Sequence, residues 1–174
     1  MRISAKVDYA VRAMAELAAA GPDNPVKADD VAAAQDMPVA FVLTILSDLK
    51  RAHLVRSHRG RMGGYSLAQP AAEITIADVV RAIEGPLANI RDVSLRDLSY
   101  TGPASALVEV WMAVRTSLRG VLEAVTLADL VAGQLPANVS AMASEYLDQE
   151  RRRGRTGRSL SPTSVHTAPT ISAE

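Results

Sequence analysis

Cysteine is absent from the 174 residues of the chain. A disulfide, a thiolate zinc site, a cysteine-ligated iron–sulfur cluster and a reactive thiol are therefore excluded. Aromatic residues make up only 3% of the chain, which argues against the base-stacking platforms of proteins that bind single-stranded nucleic acids. No apolar run reaches the roughly eighteen residues of a membrane span, and the N-terminus lacks the apolar core of a signal peptide. These absences predict a cytoplasmic protein with no membrane partner.

Signatures of catalysis are also missing. The sequence contains no G-x-S-x-G, no phosphate-binding glycine loop and no H-E-x-x-H, which are the local patterns of common hydrolases and nucleotide-binding enzymes. His53 and His58 have no partner at metal-ligand spacing, so we interpret them as ordinary histidines. We therefore expect neither an enzyme nor a bound cofactor.

One stretch contains no acidic residue. Asp and Glu are absent from residues 49 to 72, whereas five Lys or Arg lie between Lys50 and Arg61. Because the formal net charge of the whole chain is zero, this segregation indicates a basic face rather than a basic protein. Such a face favours the phosphate backbone of double-stranded DNA as its partner.

The pattern around this stretch predicts a winged helix-turn-helix. Apolar residues at three- and four-residue steps from Phe41 to Leu49 predict a helix that begins near Val39, after a shorter helix and the tight turn at residues 36–38. Residues 56–58 and 65–67 then predict two short strands joined by a glycine-rich turn. The fold class that we expect is mainly α, with a small two-stranded β wing and a long C-terminal dimerisation helix.

Capping signals predict the helices on either side of this unit. Ser4 precedes a first helix with an apolar stripe. Thr75 with Asp78, and Thr126 with Asp129, have the spacing of a capping pair. A short extended piece at residues 26–27 is also expected.

A second apolar stripe continues for over twenty residues after Pro103. It is too apolar on one side for a small domain to cover, so we expect a homodimer formed through it. The alternative is that Trp111 and its neighbours pack on the first helix of the same chain. The candidate dimerisation residues are Leu107, Val110, Trp111, Val114, Leu118, Val121 and Leu122.

Composition predicts three regions. Residues 1–86 form the winged helix-turn-helix domain, residues 87–149 a sensing loop and the dimerisation helices, and residues 150–174 an Arg-rich tail that we expect to be disordered. The tail has five Arg against two acids. It either adds nonspecific attraction to phosphate or only increases solubility.

Long parts of the sequence resemble the Rrf-two (Rrf2) family of bacterial winged-helix transcription regulators. The string L-V-x-S-x-R-G-x-x-G-G-Y, from Leu54 to Tyr65, carries the resemblance most specifically, and residues 1–85 follow the family pattern. The resemblance implies a transcription regulator, and we favour a repressor, that binds an inverted-repeat operator in double-stranded DNA as a homodimer, with the third helices in major grooves and the wings in minor grooves. A winged-helix adaptor that binds proteins is the alternative, because the fold alone does not dictate DNA binding.

The resemblance also implies which residues contact DNA. Arg59 matches the wing arginine that family members direct at the minor groove. Base readout is expected from Thr44 and from the methyl group of Ala40, or from DNA shape, whereas we assign Phe41 to the core. The further expected contacts are Lys50, Arg51, Arg56, Ser57, Gly60, Arg61, Gly63, Gly64 and Tyr65.

Many family members hold an iron–sulfur cluster on three cysteines, in a segment that matches residues 93–105. This chain has Ser94, Ser99 and Ser105 there, and a serine hydroxyl is a very poor ligand for such a cluster. We therefore expect a cysteine-free branch of the family without a cluster. A small-molecule effector, a protein effector and no effector at all remain open. If a ligand pocket exists, we expect it near Trp111 and the loop at residues 87–100.

Overall fold

The first half of the chain is built on three helices joined by short turns. The structure, a computed structural model, describes residues 3–60, 63–87 and 97–157, with the backbone alone over 154–157. Helices α1, α2 and α3 span Ala5–Ala20, Ala28–Gln35 and Val39–Arg51. The predicted cap of α1 is confirmed, because the Ser4 hydroxyl accepts from the backbone N–H of Val7 at 3.2 Å.

The turn between α2 and α3 has helix-turn-helix geometry. The chain bends by 117° between the two helices, within the range of about 90–120° that is usual for this motif. Asp36 ends α2 in the left-handed region at φ 52°, which Asn and Asp tolerate better than most residues. Met37 is buried beneath the turn, so the predicted order of helix, tight turn and helix is confirmed.

The wing follows α3 directly. Strands β1 (Val55–His58) and β2 (Gly64–Leu67) pair antiparallel, with Val55 opposite Leu67 and His58 opposite Gly64. The extended piece at Val26 pairs with β2, because Val26 and Tyr65 exchange two backbone hydrogen bonds of 2.9 and 2.8 Å. A Cβ atom on Gly64 would lie 2.6 Å from the carbonyl oxygen of Val26. Glycine is therefore required where this segment crosses the wing.

Three further helices complete this part of the chain. Helices α4, α5 and α6 span Ile76–Glu84, Leu107–Leu122 and Leu127–Ala132. Both predicted capping pairs are confirmed as reciprocal capping boxes, Thr75 with Asp78 and Thr126 with Asp129. The two capping threonines also face each other in an antiparallel bridge, so the beginning of α6 is hydrogen-bonded to the beginning of α4.

The core unites residues from both sides of the predicted domain boundary at residue 87. Its largest fully buried side chains include Met14, Leu17, Ile45, Leu46, Leu49, Ile74 and Leu127. Leu127 belongs to α6, so the helices after residue 87 share the core of the winged helix. The chain divides instead after Pro136, into one unit of residues 1–136 and a second of residues 137–174.

The second unit contains a single described helix, α7 (Ala137–Gly157). Disorder was predicted from residue 150, whereas residues 150–157 are part of α7 in the structure. Ion pairs one turn apart support the extension, Arg151 with Asp148 at 3.4 Å and Arg153 with Glu150 at 3.3 Å, as such spacing does on helices generally. The rest of the predicted tail, residues 158–174, lies outside the described residues.

Within residues 3–60, 63–87 and 97–157, no single helix is both long and apolar enough to cross a bilayer. The bent pair α2 and α3 meets the requirement by length and composition only.

Candidate nucleic-acid interface

Helix α3 divides into a buried face and an exposed face. Val42, Ile45, Leu46 and Leu49 are buried, as their spacing predicted. Phe41 packs edge-on against Tyr9 of α1, with ring centroids 5.5 Å apart and an interplanar angle of 83°. Phe41 is therefore a packing residue, in agreement with the prediction from the sequence.

The exposed face of α3 begins with small and apolar side chains. Ala40 and Thr44 are exposed, as is Leu43, whose exposed fraction is 45%. The Thr44 hydroxyl donates to the backbone carbonyl oxygen of Ala40 at 3.0 Å. In this conformation Thr44 presents a methyl group and the lone pairs of its hydroxyl oxygen, which suit the methyl group of thymine or a base amino group.

The N-terminus of α3 has no side-chain cap. Pro38 precedes the helix without a capping hydrogen bond, and the first turn contains no acidic residue. The first backbone N–H groups of a helix lack partners within the helix, and the helix dipole makes this end positive. An anion such as a DNA phosphate is therefore favoured at this end.

The C-terminal end of α3 is joined to the wing. The Lys50 ammonium donates to the Ser57 hydroxyl of β1 at 2.7 Å. Both side chains are exposed, and an ammonium group has further donors beyond the one used here. The structure thus brings two of the predicted DNA contacts together.

An ion pair from α1 holds the same end of α3. Asp48 accepts from Lys6 at 2.7 Å and from Arg51 at 3.0 Å. The hydrogen bond from Lys6, opposed by partial burial and reinforced by the charges of Lys6 and Arg51, lowers the pKa of Asp48. The acid next to the basic stretch is therefore paired with two cations, while the Arg51 side chain remains 77% exposed.

Arg56 is exposed and also bonds to the backbone of the wing itself. Its guanidinium donates to the backbone carbonyl oxygens of Leu67 at 2.9 Å and Ala68 at 3.4 Å. These bonds fasten β1 to the end of β2. The structure gives Arg56 a role in holding the wing that the sequence did not predict.

The tip of the wing presents Arg59 to solvent. This side chain is exposed and has no hydrogen-bond partner within the described ranges. Gly60 has φ 100°, and a Cβ atom on Gly63 would lie 2.5 Å from the carbonyl oxygen of His58. Both glycines are therefore needed for the tight turn that carries Arg59. Arg61, also predicted to contact DNA, lies outside the described residues.

His58 belongs to the wing itself. One ring nitrogen, Nε2, lies 2.8 Å from the hydroxyl oxygen of Ser66, which is buried. Over residues 3–60, 63–87 and 97–157, no group of three His, Asp or Glu could hold a metal ion. A cysteine-ligated iron–sulfur cluster does not fit the chain either, since its sequence contains no cysteine.

Three residues that shape this surface were missed by sequence reasoning. Val26 completes the wing, and Lys6 with Asp48 anchors α3. Lys6 and Asp48 are separated by 42 positions, so no local pattern links them. The only signal was the extended piece at Val26, which did not indicate its partner.

Comparison with known proteins places the chain in a functional class. Residues 3–133 match the Rrf2 family, described as "Iron-dependent Transcriptional regulator". "Putative HTH-type transcriptional regulator Rv1287" of Mycobacterium tuberculosis is 56% identical over 153 residues, covering 88% of this chain and 95% of that protein. CymR of Bacillus subtilis is 32% identical over 130 residues, covering 75% of this chain and 89% of CymR.

Solved structures agree with these sequence matches. The structure of B. subtilis CymR, titled the global cysteine regulator, matches with a TM-score of 0.66 and 30% identity over 77% of this chain and 98% of that one. IscR of T. potens matches with a TM-score of 0.63 and 31% identity over 76% of this chain and 88% of that one. The fold and the basic surface define a bacterial transcription regulator of the winged-helix class. The chain belongs to the Rrf2 family.

Proposed function

We propose that the protein is a repressor that binds an inverted-repeat DNA operator as a homodimer and needs no iron–sulfur cluster to do so. The observation that carries the proposal is the joined surface of α3 and the wing. It combines an uncapped helix N-terminus, the Lys50–Ser57 contact and the exposed Arg59. Cations on such a surface contact phosphates, and the helix reads base edges.

The partner in the homodimer is a second copy of α5. None of the residues of this helix is buried, although its apolar stripe is typical of a packed helix. Val110 and Val114 are 51% and 39% exposed, and the other candidates are half-buried: Leu107, Trp111, Leu118, Val121 and Leu122. A second α5 would cover this stripe and place two α3 helices on successive turns of the duplex.

Independence from a cluster follows from ligand chemistry. Iron–sulfur clusters are held chiefly by cysteine thiolates, and the chain has none. The operator is therefore bound by a protein that carries no cluster. We expect iron chelators to leave DNA affinity unchanged.

The experiment is a titration of the purified protein with duplexes from its own promoter region. We expect specific binding at low ionic strength, with an affinity that falls as salt increases because each neutralised phosphate releases counterions. Protein that ignores every such duplex at low ionic strength would overturn the proposal. That result would leave the adaptor that binds proteins as the better assignment.

A further inference from the structure

A cleft opens between the end of α4 and the middle of α5. Its volume is about 310 Å³, and it is lined by Arg81, Gly85, Pro86, Leu87, Arg115 and Arg119. This volume lies at the lower end of the range for small-molecule sites, about 300–1,000 Å³. The cleft is remote in sequence from the residues assigned to DNA.

The cleft has more cations than its acids neutralise. Arg81 is paired with Asp78 at 3.2 Å and with Glu123, and Arg119 shares Glu123 at 2.9 Å. Arg115 has no acidic partner in the part of the chain that the structure describes. Among the described residues, three guanidinium groups therefore share two carboxylates, and Arg115 is the one whose donors can bind an added anion.

A second observation points the same way. Trp111 precedes Arg115 by one helical turn, and Arg119 follows it by another, so the three lie along one side of α5. The Trp111 indole Nε1 is buried and has no hydrogen-bond acceptor within the described ranges. A buried donor without a partner is unfavourable, and this one lies one helical turn from Arg115, although Trp111 itself does not line the cleft.

The wall of the cleft is apolar on the opposite side. Leu87 is buried and lies next to Pro86 in the lining. A ligand with an anionic head and a short apolar body fits both sides of such a cleft. We propose that this cleft is the effector site of the regulator and that its ligand is a small organic anion, with a carboxylate held by Arg115 and Arg119; this rests on the proposed regulatory function.

Arg81 connects the cleft to the DNA-binding surface. It also lines a second cavity of about 410 Å³, together with Ala52 and Leu54 at the end of α3 and Gln69 after the wing. Glu123 pairs with both Arg81 and Arg119. An anion that draws Arg119 away leaves the Glu123 carboxylate to Arg81 alone. The ion pairs of Arg81 then rearrange beside the base of the wing, and the affinity for DNA changes.

Trp111 is the only tryptophan in the chain and precedes Arg115, which lines the cleft, by one helical turn, so its fluorescence is used to follow binding. The full-length protein is titrated without DNA with sodium butyrate, sodium succinate and inorganic phosphate, at constant ionic strength maintained with sodium chloride. We expect saturable binding of at least one carboxylate, tighter than that of phosphate. Arg115→Ala and Arg115→Gln should each weaken it about tenfold, the usual effect of losing a charge-assisted hydrogen bond, whereas the matched control Arg151→Ala in α7 should bind as the original protein does.

The second arm measures affinity for the promoter duplex with and without the saturating carboxylate. We expect a change of about fivefold or more, which is typical of coupling between two sites, and no change in the Arg115→Gln protein. The inference is overturned if no carboxylate saturates, if phosphate binds more tightly than both carboxylates, or if both Arg115 variants bind normally. Because the first arm contains no DNA, a failure of operator binding is recognised separately.

Discussion

Arg59 has an exposed guanidinium at the turn of the wing, beside Gly60 and Gly63. A guanidinium inserted in a narrow minor groove gains from the enhanced negative potential there. We predict that Arg59→Ala weakens operator binding by about 1–3 kcal/mol and leaves the oligomeric state unchanged. The measurement is a competition gel shift at matched salt with nonspecific competitor DNA, in which Arg151→Ala serves as the control for charge. An unchanged affinity of the Arg59→Ala protein would count against the wing as a DNA contact.

Gly64 lies where the extended segment at Val26 crosses the wing. A methyl group there would contact the Val26 carbonyl oxygen at 2.6 Å, so Gly64→Ala must break the bridge or shift β2. We predict a loss of about 1–3 kcal/mol in the free energy of unfolding, as is usual for a backbone clash of this kind. Urea unfolding provides the measurement.

Gly120 offers the matched control for this substitution. It is a helical residue of α5 with open space around its Cβ position, so Gly120→Ala should be neutral or stabilise by up to about 1 kcal/mol. Equal stability of the two variants would show that the contact at Gly64 is unimportant.

Individual residues also show where sequence reasoning succeeds. Phe41 was assigned to the core because it lies on the apolar side of a regular stripe, and the structure agrees. Arg56 looked like any other exposed cation, because its bonds to the carbonyl oxygens of Leu67 and Ala68 depend on the register of the hairpin. Contacts set by register leave no signal in a neighbouring window of sequence.

At the scale of elements, the two capping boxes determine where α4 and α6 begin. Burial raises the pKa of Asp78, but the hydrogen bonds from Thr75 and the nearby Arg81 outweigh burial, so its pKa is lowered. A lowered pKa in the folded state stabilises the fold fully above the ordinary value of 3.8. This contribution is lost as the pH falls through the still lower pKa of the folded state.

The stability of Asp78→Asn and of the original protein is measured by thermal unfolding between pH 7 and pH 3. We expect the variant to be less stable at pH 7 and the difference to narrow as the pH falls below about 4, because protonated Asp78 no longer differs in charge from Asn. Thr75→Ala, which removes the other half of the box, should cost about 1 kcal/mol at pH 7. If the difference in stability between Asp78→Asn and the original protein stays constant from pH 7 to pH 3, the ionisation of Asp78 does not contribute to stability.

Caps and turns were the elements best predicted from the sequence, since each depends on a few neighbouring residues. Ser4, Thr75 with Asp78 and the start of α3 at Val39 were all correct. For residues 150–157 the Arg-rich composition predicted disorder, whereas these residues continue α7 and ion pairs at three-residue spacing support the helix. Composition averages over a window and therefore misses such pairs.

At the scale of the whole molecule, the exposed stripe of α5 decides the oligomeric state that we propose. We predict that Val114→Asp gives a monomer by light scattering and abolishes tight operator binding, because a buried carboxylate would lack a partner in the paired helices. Thr116→Asp is the matched control, since residue 116 lies on the opposite side of the helix and is exposed. A Val114→Asp protein that remains dimeric would place the interface elsewhere.

The core of the packed molecule extends across the boundary predicted at residue 87. Local sequence motifs separate the predicted DNA-binding domain from the helices that follow it. Burial of Leu127 in the same core as Ile45 is a long-range contact that no motif encodes. The winged helix itself was predicted because its signals are local.

The contact between the beginnings of α4 and α6 has a practical consequence for protein engineering. Ile76 and Leu127 donate backbone hydrogen bonds of 2.9 Å to Val125 and Ile74 respectively. The beginning of α6 is therefore part of the same folded unit as the winged helix. A chimeric regulator that keeps only residues 1–86 of this chain would lose Leu127 from the core. Ile74, which is buried in the same core, would then be exposed. The unit that can be transferred to another protein ends at Pro136. Fusions made after this residue should keep the DNA specificity of the original protein.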